Sequence, residues 1–242
     1  MINTPPETDG LIVTLNKMGY MNTEPEFYNE AFIDFAGQCS HPCLEIGTAY
    51  GKTTIAALKK GATMIANDLS KDHLDIVLQN TPENLQNNLT LMPGAFPNAL
   101  SIEDNSLGAV LSSRMLNFLD PEILPSSIDK IFKWIRPGGK FFVLVSSPYM
   151  GNFKEFVPHY LAARAQNKPW PGLLKDMANT VPERAEDLPS FMNLLDIEDI
   201  ALLLVNSGFH IERIGYSPVS SRYPLDVRFD GREHVGAIAI KS

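Results

Sequence analysis

The feature that most constrains this chain is a rhythm. In the first 147 residues, short apolar runs and stretches of helical period alternate about five times. The runs are PCLEIG, GATMIAND (ending at Asp68), NLTLMP, GAVLSS and KFFVLVSS. A helix is expected over Glu26–Ala36 and another from about Gly51 to Lys60. A third is capped by Ser70, and a fourth begins near Ser126, beyond Pro125, and ends at the turn RPGG. Such alternation requires crossovers between parallel strands, and therefore an open sheet covered on both faces. The rhythm resumes with DIEDIALLLVNSG, a helix capped by Asp196 and ended at Gly208. FHIERIGYS and HVGAIAIKS add strands six and seven. The segment between them, Pro218–Glu233, has no helical period, so the last strand is expected to be antiparallel. The predicted class is α/β: a doubly wound, seven-stranded, mostly parallel sheet with an antiparallel last strand.

Two segments stand outside the rhythm. Residues 1–24 surround the short run LIVTL with polar residues and read as a loosely tethered arm, so that residues 1–38 form an arm and a helix. Residues 148–193, with NFKEFVPHYLAARAQ and KPWPG, read as a helical insertion able to act as a lid. Residues 1–242 are expected to form one domain.

A formal net charge of −8 disfavours wrapping a phosphate backbone, so no nucleic-acid partner is expected. IALLLV at Ile200–Val205 is far too short for a membrane span, and MINTPPETDG lacks the basic start of a secretory signal. A cytoplasmic protein is the expectation, with its oligomeric state open. Cys39 and Cys43 flank His41, but there is no second Cys pair, so they read as reduced thiols and no metal site is expected.

LEIGTAYGKTT, Leu44–Thr54, carries the functional signal. It resembles a triphosphate loop, yet Gly47 and Gly51 are separated by three residues where that loop has four. The expected Mg²⁺-holding acid is also missing, because GAVLSS and KFFVLVSS both end in Ser. A dinucleotide loop wants G-x-G-x-x-G, and Ala49 stands at its middle glycine. A phosphate-free adenosyl ligand fits better. Gly-x-Ala-x-Gly lets the backbone pass close beneath it, and Asp68 ends the second strand where ribose hydroxyls want a carboxylate. Glu45 can support the loop and a cationic ligand end.

On these residues the chain resembles the class I S-adenosylmethionine-dependent methyltransferases over about residues 40–147, and more weakly over 191–242. LEIGTAYG is similar to their first motif, IAND to the second, LMPGAF to the adenine segment, DNSLGAVLSSRMLNFL to the fourth-strand region, and RPGGKFFVLV to the turn before the fifth strand. The resemblance implies S-adenosyl-L-methionine as cofactor, held by Glu45, Gly47, Thr48, Ala49, Gly51, Asp68, Leu69, Gly94, Ala95, Phe96, Ser112 and Ser113. Ala95 departs from the family, which often has Asp there to accept from the adenine amino group. The Ala95 amide, with Phe96 or Leu69 against the ring, is left to compensate, and one lost hydrogen bond costs about 1 kcal/mol.

The expected reaction is in-line transfer of a methyl to an O, N or C nucleophile of a small molecule, the alternatives being a non-catalytic S-adenosylmethionine-binding protein or a protein methyltransferase. No catalytic residue can be named from the sequence. Arg114, Asn117, Tyr149 and His159 are the candidate acceptor-binding residues, with Tyr20 a further candidate in the arm. Each has a plainer reading as a cap, loop or surface residue. His73 and His210 read as structural, while His41 and His234 carry no signal. SSPYM follows the fifth strand and has one Pro, unlike the fourth-strand motif of amino-methylating relatives, which disfavours DNA as acceptor.

Overall fold

The structure, a computed structural model, describes residues 2–24 and 26–242. Met1 and Pro25, next to or within the predicted arm and helix, lie outside the described residues. In chain order the strands are β1 (Leu11–Val13), β2 (Tyr20–Asn22), β3 (Cys43–Ile46), β4 (Met64–Asp68), β5 (Leu89–Pro93), β6 (Leu107–Ser113), β7 (Ile135–Ser146), β8 (Leu173–Leu174), β9 (Met192–Asn193), β10 (His210–Ser217) and β11 (His234–Ile240). The helices are α1 (Phe27–Ala36), α2 (Lys52–Lys59), α3 (Lys71–Asn80), α4 (Leu124–Trp134), α5 (Val157–Ala165), α6 (Met177–Thr180) and α7 (Ile197–Asn206).

Seven strands form one sheet in the order β10-β11-β7-β6-β3-β4-β5. The pairs β3–β4, β3–β6, β4–β5 and β6–β7 are parallel, and β11 runs antiparallel to both β7 and β10. Apolar layers cover both faces. Phe141, Val143, Ile131, Trp134 and Leu203 pack on one face, and Phe32, Leu58, Met64, Phe142 and Leu144 on the other. The order reverses at β3, which lies between β4 and β6, and this opens a crevice at the strand tips. The registers Ile46↔Asn67, Ile46↔Ser112, Ser113↔Leu144 and Ser146↔His234 bring the ends of β3, β4, β6 and β7 and the start of β11 to one edge.

Four expectations need correction. The fourth helix starts at Leu124, not Ser126. Pro125 sits in its first turn, where the missing N–H has no intrahelical partner to lose. Arg136–Gly139 are part of β7 and not a separate turn. The arm is not loose: β1 and β2 form an antiparallel hairpin. Val13 O accepts from the Tyr50 hydroxyl at 2.7 Å, and Leu15 N donates to His73 Nε2 at 3.1 Å. Residues 148–193 are also only partly helical, since β8 and β9 form a short ribbon within them.

Candidate functional site

The turn after β3 is tight. Gly47, Ala49 and Gly51 have φ of 75°, 47° and 76°, so three of five residues are left-handed. Glycine adopts this freely; Ala49 does so against its Cβ. At Gly51 a side chain is excluded outright, because a Cβ there would lie 2.7 Å from Val77 Cγ2. Inside the turn, the Thr48 and Thr54 hydroxyls donate to Glu45 Oε2 at 3.0 and 2.5 Å. Burial raises Glu45 to about 7, outweighing the downward pull of those hydroxyls.

The amides of the turn decide between ligands. Gly47 N and Thr48 N both donate to Asn67 O at 2.9 Å. Ala49 N donates to Asp68 Oδ2 at 2.9 Å, and Gly51 N to Thr48 O at 2.9 Å. Four of the five amides are thus spent within the protein, and the cradle of free N–H groups that a triphosphate requires is not formed. Lys52, the residue that made the sequence look like a triphosphate loop, is exposed at the start of α2.

Asp68 is held as firmly. Its Oδ1 accepts from Ser70 N at 2.8 Å and from His73 Nδ1 at 3.0 Å. Because His73 Nε2 accepts from Leu15 N, the ring proton is on Nδ1. Oδ1 is therefore saturated, while Oδ2, with Ala49 N alone, keeps one acceptor position for a ligand hydroxyl. His73, read from the sequence as structural, aims the carboxylate and ties it to the hairpin.

One cavity of about 530 Å³ runs along the strand tips. Of the residues expected to hold the cofactor, Glu45, Gly47, Thr48, Ala49, Asp68, Leu69, Gly94, Ala95, Phe96 and Ser113 line it. Leu69 is 57% exposed, a large apolar side chain open to the cavity. Gly51 and Ser112 are not on the wall: Gly51 packs behind the turn on α3, and Ser112 is fully buried within β6.

Of the expected acceptor residues, Arg114 and, in the arm, Tyr20 line the cavity. Arg114 is not a free clamp, since its guanidinium is paired with the Glu26 carboxylate. Asn117 is a buried splice: its Nδ2 donates to Ser146 O at 3.0 Å and Asn193 O at 2.8 Å, and its Oδ1 accepts from Ser146 N at 2.9 Å. Tyr149 is off the cavity, in an aromatic group with Tyr160 and Tyr216 at 5.9 and 6.1 Å. His159 is exposed on α5. These three are corrections, and those of Asn117 and Tyr149 follow from long-range packing that local sequence does not encode.

The remaining wall was not anticipated. Met18 and Met21 come from the hairpin, Met115 and Phe118 from the segment after β6, and Met150, Phe153, Leu188 and Met192 from the insertion. His234, at the first position of β11, also lines it and is 1% exposed. Its Nδ1 faces Glu26 Oε1 at 3.2 Å. Burial pushes the Glu26 carboxyl up, but Arg114 and His234 together bring it down to about 2. The hints in the sequence were Tyr20 in the arm and the reading of residues 148–193 as a lid.

Residues 43–139 match a family model described as a methyltransferase domain. This match joins the sheet order, the glycine turn and Asp68 in one reading. Residues 43–139 carry a methyltransferase domain of the class I S-adenosylmethionine-dependent kind. S-adenosylmethionine is the cofactor of that family. A phosphoethanolamine N-methyltransferase 1 from Triticum aestivum is 33% identical over 104 residues, which are 41% of this chain and 20% of that protein. The chain thus spans about a fifth of that relative's length. The methyltransferase fold is shared with an S-adenosylmethionine-dependent methyltransferase from Mesorhizobium loti, at TM-score 0.64 and 16% identity over 88% of this chain and 95% of the other. It is shared too with geranyl diphosphate C-methyltransferase from Streptomyces coelicolor A3(2), at TM-score 0.62 and 12% identity over 88% and 77%.

Proposed function

We propose that the chain transfers the methyl of S-adenosylmethionine to a small-molecule acceptor by in-line displacement, with residues 1–242 acting as one unit. The observation that carries this reading is the turn whose amides are already spent, beside a carboxylate with one oxygen position left open. That arrangement supports a ribose and a ligand without phosphates.

The cofactor supplies a methyl made electrophilic by its sulfonium. The residues of this chain bind, orient and shield. Asp68 accepts a ribose hydroxyl, Leu69 and Phe96 pack on the adenine, and Glu45 stands behind the turn that carries the methionine end. Small-molecule selection is supported by a roof joining two elements: Gly19 N donates to Asp187 O at 2.7 Å, and the Tyr20 hydroxyl to Asp187 Oδ2 at 3.0 Å. The hairpin and the insertion meet over the cavity, as a lid that excludes water from the transfer. Among the described residues, no helix is long and apolar enough to cross a membrane.

The relative's name gives phosphoethanolamine as its acceptor, but among the described residues Arg114 and Arg184, the cavity cations away from the glycine turn, are already paired with Glu26 and Asp226, so that acceptor is not carried over. The test is incubation with methyl-labelled S-adenosylmethionine and a cell extract split by mass. Label in the low-mass fraction is expected. Label confined to macromolecules would replace the small-molecule reading with a protein or nucleic-acid one.

A further inference from the structure

We propose that the acceptor is an uncharged, largely apolar molecule that offers a single protic group to His234. This rests on the methyl-transfer reading and narrows it to a substrate class.

The first ground is charge. Three cations line the cavity among the described residues: Lys52, Arg114 and Arg184. Arg114 is paired with Glu26. Arg184 Nη2 lies 2.8 Å from Asp226 Oδ2, and its guanidinium stacks on Tyr20 at 5.5 Å. Lys52 begins α2 on the side of the glycine turn. The acceptor end therefore has its positive charges compensated by the protein. A carboxylate or phosphate entering there would be desolvated without a partner, which is far costlier than burying a neutral group.

The second ground is the wall. Phe118, Met150, Phe153, Leu188 and Met192 belong to one apolar cluster under the insertion, and each reaches the cavity. Methionine adapts its shape and leaves no polar group to satisfy, so this lobe takes an apolar body.

The third ground is the polar end. Arg114 just after β6 and Glu26 before α1, both half-buried, form a chain with the buried His234 on β11. Glu26 Oε1 lies 3.2 Å from Nδ1 without hydrogen-bond geometry, and among the described residues neither ring nitrogen has a hydrogen-bond partner. Tyr223 and Asn22 flank the same guanidinium, and with the amide oxygen of Asn22 turned toward Arg114 it lies 2.9 Å from Nη2. Nε2 is left to accept a hydrogen bond from a hydroxyl or a neutral N–H. For a hydroxyl acceptor, the new O–C bond forms as the S–C bond breaks. Sulfur keeps that bond's electron pair and leaves as an uncharged thioether. The hydroxyl proton passes to Nε2, is balanced there by Glu26, and is later lost to water. Glu26 and Arg114 act as positioning residues through His234.

The experiment uses the full chain saturated with S-adenosylhomocysteine at pH 7.5, titrated with 4-hexylphenol, hexylbenzene and 4-hexylbenzoate. The phenol is expected to bind at least about tenfold more tightly than the benzoate. It should also bind about three- to tenfold more tightly than hexylbenzene, the worth of one hydrogen bond. H234F is expected to erase the second preference while leaving hexylbenzene and S-adenosylhomocysteine affinities unchanged. Benzoate binding as well as phenol overturns the proposal with the unaltered protein alone, whether or not H234F folds. A phenol preference that persists in H234F overturns the assignment of His234. Failure of S-adenosylhomocysteine to bind, with the probe preferences intact, would sink the methyl-transfer reading and leave the lobe's selectivity standing.

Discussion

Replacing Glu45 with Gln should remove a pH dependence built into the glycine turn. The Glu45 side chain is buried, and burial raises it from the ordinary 4.5 to about 7 despite the Thr54 and Thr48 hydroxyls that favour its charged form. In the unfolded chain the same group ionises near 4.5. Between those two values the folded state keeps a proton that the unfolded state has released. The contribution of Glu45 is therefore most favourable below pH 4.5 and is lost as the pH rises to 7. The gap from 4.5 to about 7 corresponds to about 3 kcal/mol, of which about 2.5 kcal/mol falls between pH 5 and pH 8. E45Q keeps a carbonyl for the Thr54 and Thr48 hydroxyls and carries no charge to desolvate. In urea unfolding at pH 5 and pH 8, E45Q should gain about 2.5 kcal/mol on the parent protein across that interval. A difference between the two proteins that stays constant within about 0.5 kcal/mol would refute the reasoning, because it would mean that Glu45 ionises alike in both states. The same group couples to the ligand. A cationic methionine end beside it draws the proton off, so S-adenosylmethionine binding at pH 6.5 should release protons, and E45Q should release fewer. Calorimetry in two buffers of different ionisation heat reads this directly.

Three further outcomes follow from the packing. Gly51→Ala sets a Cβ 2.7 Å from Val77 Cγ2 at a φ of 76°, and should lower stability by about 2–3 kcal/mol by thermal unfolding. Asn117→Ala leaves Ser146 N, Ser146 O and Asn193 O without their partner, and should cost about 2–4 kcal/mol while S-adenosylhomocysteine affinity is unchanged. A loss of ligand affinity without loss of stability would return Asn117 to the acceptor site. His159→Ala should move neither stability, beyond about 0.5 kcal/mol, nor binding of ligand or apolar probes.

The sheet was legible because its strands are local. PCLEIG, GATMIAND and KFFVLVSS each announce a buried strand by composition, and the gap between FHIERIGYS and HVGAIAIKS, without helical period, announced the antiparallel edge. The glycine turn was legible for a related reason, since its backbone conformation is written in glycine spacing. The acceptor side was not legible. Glu26, Arg114 and His234 meet only because α1, β6 and β11 converge at one edge, and no window of sequence contains two of them. The hairpin over the cavity was missed because its strands have three residues each, too few to show a period. Asn117 and Tyr149 were placed on the right side of the molecule by their position after β6 and β7. Their side chains turn into the packing between segments, which only the fold determines.

The account depends on an adenosyl ligand resting on the turn after β3 with Asp68 at its ribose. The most direct measurement is calorimetric titration of S-adenosylhomocysteine and ATP into the parent protein and Asp68→Asn, each checked for folding. The account predicts that the parent binds S-adenosylhomocysteine, that Asp68→Asn binds it at least about tenfold more weakly, and that ATP binds neither. Equal affinity in the two proteins, or ATP binding that is lost on replacing Lys52, would contradict it.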